Sequence, residues 1–575
     1  MRVRGVPMIR LYLEDWATNT GILGFYRILE HAETDLFENE ETYIDFDPIL
    51  LHDFPKWFFN YAFDMFSVAN EKENKMNNSL TSATSNFKRS KDSIFTDIKG
   101  TENKLNKRLP IEARALKELF SSKKDVSTIE ELKTITKDYL KLLKQEQVNE
   151  VLTLNMIRFR LGELHGQTSF LQRSRSTLNR SEHEEFLARD FVQPILLEQE
   201  VLSVLRSSNS TNEAIEDLNK IIQQSDDEDI KKLAKQTITK LKKDELLYCP
   251  VIEGQFALTD YTEAIFLPNA VSIANATNYT WNNQKMFPIS NLYRLIMFCS
   301  VFGLYRDHID KDTVVYSFIQ TDEDFDTLAE INDLFVTNKK QNNPFELFLY
   351  NTLKEAKDKA NWISKNMLIV EFQNNGKKTT LTQNFLSKHA VQYLQERGGK
   401  EIDHIKYPQF RNVILRKLLN GEHFFRDITF QLRKNVDNNY SSYDTYAATL
   451  AMFHLNRIKE CYDMSNGTRE AQYESMQKRI QYALMDGREV RRRLTERRME
   501  NKIPGITYRL LNALTTNNRQ QFFETLFRTF LLVEKNTSMY VDATREHSNE
   551  FESIASALLS GLNDKPYKKE GEETN

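Results

Sequence analysis

The chain has 575 residues, of which 40% are hydrophobic and 28% are charged, and its formal net charge at pH 7 is −4. This composition excludes a disordered chain, and the length predicts about two to four domains with sizeable cores. The small net charge gives no sign of a polyanion partner, so the local distribution of charge matters more. We expect a cytoplasmic protein without a membrane span, because no apolar run approaches the roughly 20 residues that cross a bilayer. Only three cysteines occur, and residues 1–5 lack the apolar region of a secretory signal.

Charge is unevenly distributed along the chain. Residues 30–47 contain eight acidic residues and no Lys or Arg, whereas residues 487–535 contain eleven Lys or Arg against five Glu. Such asymmetry is typical of a protein that presents different faces to different partners, nucleic acid among them. The alternative is a pair of solvated helix faces, which the charge pattern alone favours.

The first part of the chain predicts a strand, then helices. Residues 11–31 predict a strand that ends at a polar turn, where Asn19 caps an amphipathic helix. The polar composition of residues 70–86 predicts a mobile loop or linker. Residues 87–108 carry seven basic against three acidic residues, and residues 111–246 predict a succession of amphipathic helices.

The central part of the chain predicts short strands, and the last part predicts helices. Residues 246–283 are rich in β-branched, aromatic, Gly, Pro and Asn residues, and Asn375-Gly376 between two strand-like runs predicts a hairpin. From residue 439 onward the helical spacing of apolar residues predicts a helical bundle. The expected fold class is α+β, predominantly α. We expect a mixed α/β N-terminal region with a helical block at 1–245, a β-containing central region at 246–438, and a C-terminal helical bundle at 439–575.

One weak catalytic candidate stands out in the sequence. Asp307, His308 and Asp310 lie close together and could hold a divalent metal for phosphodiester hydrolysis. A surface loop accounts for these three residues equally well, and no second His/Asp cluster nearby in sequence completes them. The sequence therefore favours a protein that is not an enzyme. A metal-dependent nuclease and a stand-alone helical nucleic-acid-binding regulator remain as alternatives.

Four segments in order, spread over about residues 9–563, resemble one known family. The first is DWATNTGILGFYRILE, which follows the pattern W-x-x-N-x-G-I-x-G-F with Trp16, Asn19, Gly21, Ile22, Gly24 and Phe25. The others are GQTSFLQ, then NATNYTWNN with LYRLIMFCSVFGL, and then YRLLNALTTNNRQQFFETLFRTFL, with SALLSGLN at the end. Together they resemble the large subunit of the type I-B CRISPR Cascade complex, the Cas-eight-b or Cst-one family.

This resemblance implies a non-catalytic protein in an RNA-guided surveillance complex for antiviral defence. Members sit at the end of a crRNA-bound Cascade backbone, recognise the protospacer-adjacent motif on double-stranded DNA and help to form the R-loop. They also recruit a separate helicase-nuclease. The implied partners are thus the crRNA-bound backbone subunits, target dsDNA, the displaced non-target strand and the helicase-nuclease. Because the guide reads the sequence, the large subunit needs only a few base contacts and a basic path for the displaced strand.

The chain departs from the family at a zinc site. Relatives often carry two C-x-x-C pairs in the central segment, and four thiolates would close a tetrahedral zinc site. Here Ile252 stands three residues after Cys249, and Phe302 three residues after Cys299, where the second cysteine of each pair would stand. We therefore expect no zinc and no other cofactor, and a small hydrophobic core in place of the metal.

Candidate nucleic-acid-binding residues fall into two groups. Polar loop side chains that could read base edges of the duplex motif are Gln167, Ser169, Asn282 and Asn283. The alternative for them is a buried turn in which they cap backbone groups. Basic side chains for a phosphate path are Lys88, Arg89, Lys91, Lys107, Arg108, Arg173, Arg175, Arg488, Arg491, Arg492, Arg493, Arg497 and Arg498. One helix cannot present all six C-terminal arginines to a single strand, so some of them must form helix ion pairs, for example with Glu489 or Glu496.

The resemblance also implies a possible second product of the same gene. In type I-B systems the C-terminal helical part can be made from an internal start as the small subunit. Met452, Met464 and Met476 lie near the start of the predicted bundle. The alternative is that they are ordinary core methionines.

Overall fold

The computed structural model describes residues 8–166, 172, 175–262, 264–269, 287–308, 314–321, 324–337, 367–374, 379–437, 442–462, 468–535, 540 and 548–564. Across these ranges the chain is mostly helical with a few small sheets, and its C-terminal part is helical. The predicted α+β, predominantly α class is confirmed. Two compact units are formed, one by Met1–Asp333 with Val370–Thr382 and the other by Leu334–Ile369 with Gln383–Asn575. The three-part division at 1–245, 246–438 and 439–575 stays a prediction.

The first unit opens with a small antiparallel sheet around a buried helix. Its elements are β1 (Ile9–Tyr12), α1 (Trp16–His31), β2 (Phe37–Asn39) and β3 (Tyr43–Phe46), with strand order β1-β3-β2. Asp15, rather than Asn19, caps α1 by accepting the backbone N–H groups of Ala17 and Thr18. Asn19 is fully buried in the first turn and donates to Gln320 Oε1 at 2.9 Å. The helix therefore begins one turn earlier than predicted, because Asp15 provides the cap, and Asn19 makes a tertiary contact instead.

Ten α-helices follow within the described residues up to Lys243. They are α2 (Phe54–Phe66), α3 (Val68–Ser82), α4 (Phe87–Leu105), α5 (Pro110–Ser121), α6 (Ile129–Leu143), α7 (Glu146–Leu164), α8 (Arg180–Leu187), α9 (Gln193–Ser207), α10 (Thr211–Gln224) and α11 (Glu228–Lys243). The predicted succession of helices is confirmed. The prediction of a loop or linker at residues 70–86 is wrong, because most of that tract is α3. Burial of Val68, Ala69 and Met76 against the neighbouring helices stabilises this polar segment.

The central part carries the remaining strands. Its elements are β4 (Thr259–Asp260), β5 (Pro288–Ile289), α12 (Asn291–Phe298), α13 (Ser300–Gly303), β6 (Tyr305–His308), β7 (Val314–Thr321), α14 (Phe325–Thr337), β8 (Met367–Asn374) and β9 (Thr379–Leu386). The last four strands form a sheet of order β6-β7-β8-β9. Strands β8 and β9 flank Asn375-Gly376, so the hairpin pairing is as predicted, although those two residues lie outside the described part.

The four positions that correspond to the two C-x-x-C pairs of the family all lie in the main hydrophobic core of the first unit. Cys249, Ile252, Cys299 and Phe302 are at most 6% exposed and belong to one apolar cluster, which also contains the apolar face of α1. The backbone N–H of Ile252 contacts Cys249 Sγ at 3.4 Å, and Cys299 Sγ donates to the Leu295 carbonyl at 3.3 Å. The expected apolar packing is present, and it forms part of a large core rather than a small separate one.

The second unit is helical beyond the end of β9. Its helices are α15 (Lys388–Arg397), α16 (Lys400–Asp403), α17 (Pro408–Leu419), α18 (Phe425–Asp437), α19 (Ser442–Tyr462), α20 (Thr468–Glu496), α21 (Ile503–Thr515), α22 (Arg519–Leu532) and α23 (Ser548–Leu562). Helices α20 and α23 pack backbone to backbone at two glycines. A Cβ on Gly487 would lie 2.2 Å from the Leu558 carbonyl oxygen, and one on Gly561 would lie 2.1 Å from that of Leu484. Only glycine allows this approach.

Candidate nucleic-acid interface

The helices α3 to α6 form a basic block, and their shared core also includes residues at the start of α7. Residues 68–145 contain seventeen Lys or Arg against eleven Asp or Glu, which gives this block a net charge of +6 in a chain whose total is −4. Its core includes Met76, Phe95, Leu132 and Tyr139, all fully buried. Since these residues hold the helices side by side, the lysines on the outer faces line grooves between adjacent helices.

The clearest groove runs between α3 and α4, and we call it the α3–α4 groove. It encloses about 500 Å³. Its charged lining consists of Lys72, Lys75, Arg89, Lys104, Asp92 and Asp97. Asp92 also pairs with Lys123 at 2.7 Å. Four cations against two carboxylates leave an excess of positive charge in a concave surface, which suits an anionic ligand.

Asp97 organises the floor of this groove. Its Oδ1 accepts Lys72 Nζ at 2.5 Å and Lys75 Nζ at 2.8 Å, and its Oδ2 accepts the Tyr139 hydroxyl at 2.8 Å. Tyr139 is bonded in turn to the Thr101 hydroxyl at 2.7 Å. A single buried carboxylate therefore holds two ammonium groups in fixed positions. Each ammonium has three donors, so both can still bind an anion in the groove.

The ionisation of this network follows from burial and charge. Burial acts to raise the pKa of Asp97, but the hydrogen bonds from Lys72 and Lys75 outweigh it and hold that pKa below its ordinary value. Burial, together with the nearby charge of Asp97, raises the pKa of Tyr139. At neutral pH the site thus has an ionised aspartate and a neutral tyrosine.

A second groove lies along the other edge of α3, between α3 and α6. It encloses about 480 Å³, and its lining includes four exposed lysines, of which Lys133, Lys137 and Lys141 lie in α6 and Lys144 is its C-cap residue. Spacings of three and four residues place all four on one side of the helix. Lys133 pairs with Glu130 at 2.7 Å and Lys144 pairs with Glu73 at 2.8 Å. The two lysines between them extend the basic surface beyond the α3–α4 groove.

The predicted phosphate-path residues of the N-terminal block are dispersed. Arg89 lines the α3–α4 groove, and Lys88 and Lys107 are exposed at opposite ends of α4. Lys91 Nζ instead donates to the Val126 carbonyl at 2.6 Å, and Arg108 donates to the Leu178 carbonyl at 3.3 Å. The last two side chains therefore tie helices to connecting segments.

The other predicted residues of the first unit lie mostly outside the described part of the chain. Gln167, Ser169, Arg173, Asn282 and Asn283 are in this group. Arg175 is described, and its guanidinium carbon lies 3.9 Å from the centroid of the Phe186 ring. Gly166, the first residue of the GQTSFLQ segment, donates its N–H to the Ala264 carbonyl at 2.9 Å. The duplex-reading assignments stay predictions.

The C-terminal arginines are largely engaged within the second unit. Arg492 and Arg493 pair with Glu489 at 2.8 and 2.6 Å, which confirms the predicted helix ion pairs. Arg493 also donates to the Val533 carbonyl, and Arg497 donates to the Leu532 carbonyl, at 2.8 and 2.6 Å. These carbonyls lie at the C-terminal end of α22. A cation there is stabilised by the unpaired carbonyl groups and by the negative end of the helix dipole.

Three further arginines complete this group. Arg491 is 9% exposed and donates to the Leu562 carbonyl at 2.9 Å, while Arg488 pairs with Asp564 at 2.5 Å. Arg498 ends the segment in a left-handed backbone conformation with φ of 57° and is exposed. Of the six predicted arginines, Arg498 makes no side-chain hydrogen bond or ion pair within the described residues.

Lys72, Lys75 and Lys104, and also the lysines of α6, are not among the residues predicted from the sequence. The first two were hidden because residues 70–86 were interpreted as a linker. A signal was nevertheless present. Ala69 and Met76 lie seven residues apart, and Lys72 and Lys75 lie between them, which is the spacing of an amphipathic helix.

The alternative metal site falls largely outside the described structure. Asp307 and His308 belong to β6, but their side chains are not described, and Asp310 lies outside the described residues. Among the side chains that are described, no group of three or more His, Cys, Asp or Glu could hold a metal ion.

Comparison with known proteins gives no match. No protein-family model, curated protein or solved structure matches this chain. None of the helices in the described ranges is long and apolar enough to cross a membrane.

Proposed function

We propose that this chain is the non-catalytic large subunit of a type I-B CRISPR Cascade complex in the cytoplasm. In this role it recognises the protospacer-adjacent motif on dsDNA, supports R-loop formation and recruits a separate helicase-nuclease. Its other partners are the crRNA-bound backbone subunits. Small subunits made from the C-terminal part of the same gene are a further proposed partner.

The observation that carries nucleic-acid binding is the α3–α4 groove. Lys72 and Lys75 are fixed by Asp97, and Arg89 and Lys104 line the same groove without a side-chain partner among the described residues. Such a site recognises phosphate groups by charge and is indifferent to base sequence. That is the chemistry that a guide-dependent complex needs from its protein subunit, since base pairing with the guide reads the target.

The packing of the first unit supports the resemblance. The first and the third matching segments are distant in sequence, yet they lie against each other as α1 and α12–α13. A Cβ on Gly21 would lie 2.5 Å from the Ile296 carbonyl oxygen, and one on Gly303 would lie 1.9 Å from that of Thr20. The glycines that carry the resemblance are thus positions where two backbones meet. A shared pattern at such positions favours a shared fold.

The test is guide-dependent binding of a labelled duplex. The duplex contains a guide-matched target with or without its flanking motif, and the co-expressed complex is prepared with and without this chain. We expect tight binding only when the flanking motif and this chain are both present, and no cleavage by the chain alone. Equal binding by the purified chain without guide would instead favour the regulator, and metal-dependent cleavage by it would favour the nuclease.

A charge reversal tests the groove itself. Lys104→Glu should weaken duplex binding by the assembled complex and reduce the salt dependence of the logarithm of the binding constant by about one unit of slope. Lys117→Glu is the matched control, since Lys117 is exposed on α5 of the same block and does not line the groove. Equal effects of the two substitutions would show that the net charge of the block matters and that the groove does not.

A further inference from the structure

Helix α18 of the second unit presents an exposed aromatic ring among cations. Phe430 is 60% exposed, whereas Ile428 and Leu432 on the other side of the helix are fully buried. Arg426, Arg433 and Lys434 are exposed as well. A single exposed phenylalanine is ordinary. What distinguishes this one is that every cation named here is three or four residues from the ring, which places them on the same side of the helix.

The contacts around the ring are specific. Lys434 Nζ lies 4.6 Å from the centroid of the Phe430 ring. Arg433 Nη2 donates to Asn512 Oδ1 at 3.2 Å, which ties this surface to α21. Arg509 is exposed and lies three residues before Asn512, so it extends the same surface. We call Arg426, Phe430, Arg433, Lys434 and Arg509 the Phe430 surface.

The carboxylate beside this surface does not cancel its charge. Asp427 is half-buried, and its Oδ2 forms an ion pair with Lys417 Nζ at 2.8 Å. The Phe430 surface therefore keeps an excess of positive charge around an accessible apolar ring. Such a combination matches a ligand that has flat aromatic faces and regularly spaced negative charges.

We propose that the Phe430 surface binds single-stranded nucleic acid. A base stacks on the Phe430 ring, and neighbouring phosphates contact Arg426 and Arg433. Duplex bases are already stacked and paired, so a single strand is favoured over a duplex. The inference deepens the proposed function, on which it rests, because an R-loop contains a displaced single strand that needs a holding site.

Tryptophan fluorescence tests the stacking directly. In full-length Phe430→Trp, binding of a short oligothymidylate should quench tryptophan fluorescence relative to the wild-type chain, and a duplex of equal length should quench it less. Leu531→Trp is the matched control, because Leu531 is 74% exposed in the same unit and belongs to α22. Quenching that is equal in both variants, or absent from Phe430→Trp, would overturn the proposal.

Binding measurements provide the second readout. Phe430→Ala should weaken oligothymidylate binding by roughly 5- to 150-fold, as expected for loss of one base–aromatic stack. Arg426→Gln should weaken it too, whereas Arg528→Gln should not, since Arg528 is exposed but pairs with Glu524. Two results would contradict stacking: unchanged affinity in Phe430→Ala, or displacement of the oligonucleotide by polyglutamate at equal charge. Either would show that binding to this surface depends on charge alone.

The outcomes separate this inference from the proposed function. If the assembled complex needs this chain for motif-dependent duplex binding but Phe430→Trp shows no quenching, only the inference is wrong. If Phe430→Trp is quenched while the complex binds its duplex equally well without the chain, the inference holds and the large-subunit function is wrong.

Discussion

Gly24 in α1 lies directly against the backbone of Cys299. A Cβ built on Gly24 would come 1.9 Å from the Cys299 carbonyl oxygen and 3.2 Å from the Gly303 nitrogen. Because the obstructing atoms belong to the backbone, the methyl group of alanine can be accommodated only if α1 moves away. We expect Gly24→Ala to lower the free energy of unfolding by about 3 kcal/mol or more, measured by urea denaturation.

Gly162 provides the control for this substitution. It lies in α7, and a Cβ there would meet nothing within 4 Å. Gly162→Ala should therefore raise stability by about 0.5–1 kcal/mol through its better helix propensity. If the two variants unfold at the same urea concentration, the backbones of α1 and Cys299 do not approach each other as closely as described.

Asp97→Asn tests the carboxylate under the α3–α4 groove. The substitution removes the negative charge between Lys72 and Lys75 and should lower the free energy of unfolding by about 2 kcal/mol. This is less than the loss expected for a fully buried ion pair, because Lys75 is half exposed. The folded-state pKa of Asp97 is below its ordinary 3.8, so its contribution is complete above pH 3.8 and is lost as the pH falls further.

The pH profile separates this ion pairing from simple packing. Wild-type stability should fall more steeply than that of Asp97→Asn as the pH drops below about 4, as followed by urea denaturation at each pH. Parallel profiles would show that Asp97 is not held ionised by the lysines. The conservative Asp97→Glu should keep part of the steep dependence.

Glu198 gives a pH dependence of opposite sign. Its side chain is 1% exposed, its Oε1 accepts Asn291 Nδ2 at 2.5 Å, and burial raises its pKa from 4.5 to about 8. The folded protein keeps the proton while the unfolded chain loses it, so stability falls as the pH rises from 4.5 towards 8. Glu198→Gln should be more stable than the wild type at pH 8, and the difference should shrink towards pH 5.

Glu200 supplies a matched substitution for this test. It lies two residues along α9, and burial raises its pKa less. The change in stability between pH 5 and pH 8 should be closer to the wild-type change in Glu200→Gln than in Glu198→Gln. A profile for Glu198→Gln that follows the wild type across this range would mean that Glu198 is ionised in the folded protein.

The C-terminal arginines should divide into structural and binding residues. Arg493 closes the end of α22 and pairs with Glu489, whose pKa the hydrogen bonds from Arg492 and Arg493 lower to about 2. We expect Arg493→Gln to lower the melting temperature and to leave nucleic-acid affinity unchanged. Arg498→Gln should weaken nucleic-acid binding and leave the melting temperature unchanged, since Arg498 is exposed. Filter binding and thermal melting of both variants provide the measurements.

An internal start at Met464 would yield a product with a newly exposed surface. Such a product would contain α20 to α23 but would lack α19, whose Thr445 hydroxyl bonds the Ser560 hydroxyl of α23 at 2.8 Å. If the small subunit is made, a tag after Asn575 will show a second, short band on a blot, and substitution of Met464 by Leu will remove it. Starts at Met452 or Met476 give bands of different size, and a single full-length band rules out all three.

Some features could be predicted from the sequence because they depend on local pattern. The helices of residues 111–246 and of the C-terminal bundle follow from apolar residues at helical spacing, and the pairing of β8 with β9 follows from Asn375-Gly376 between two strand-like runs. The pairing of Arg492 with Glu489 was also predictable, because residues three apart on a helix are neighbours.

Other features required the tertiary structure. Residues 70–86 look like a linker by composition, but contacts with α4, α6 and α7 stabilise most of them as helix α3, which places Lys72 and Lys75 over Asp97. Asn19 looks like a cap, but Asp15 takes that role and Asn19 bonds Gln320, 301 residues away. The sequence by itself determined the helical character and the local charge. The structure decided which charges meet, because burial and long-range contacts depend on residues that are far apart in the chain.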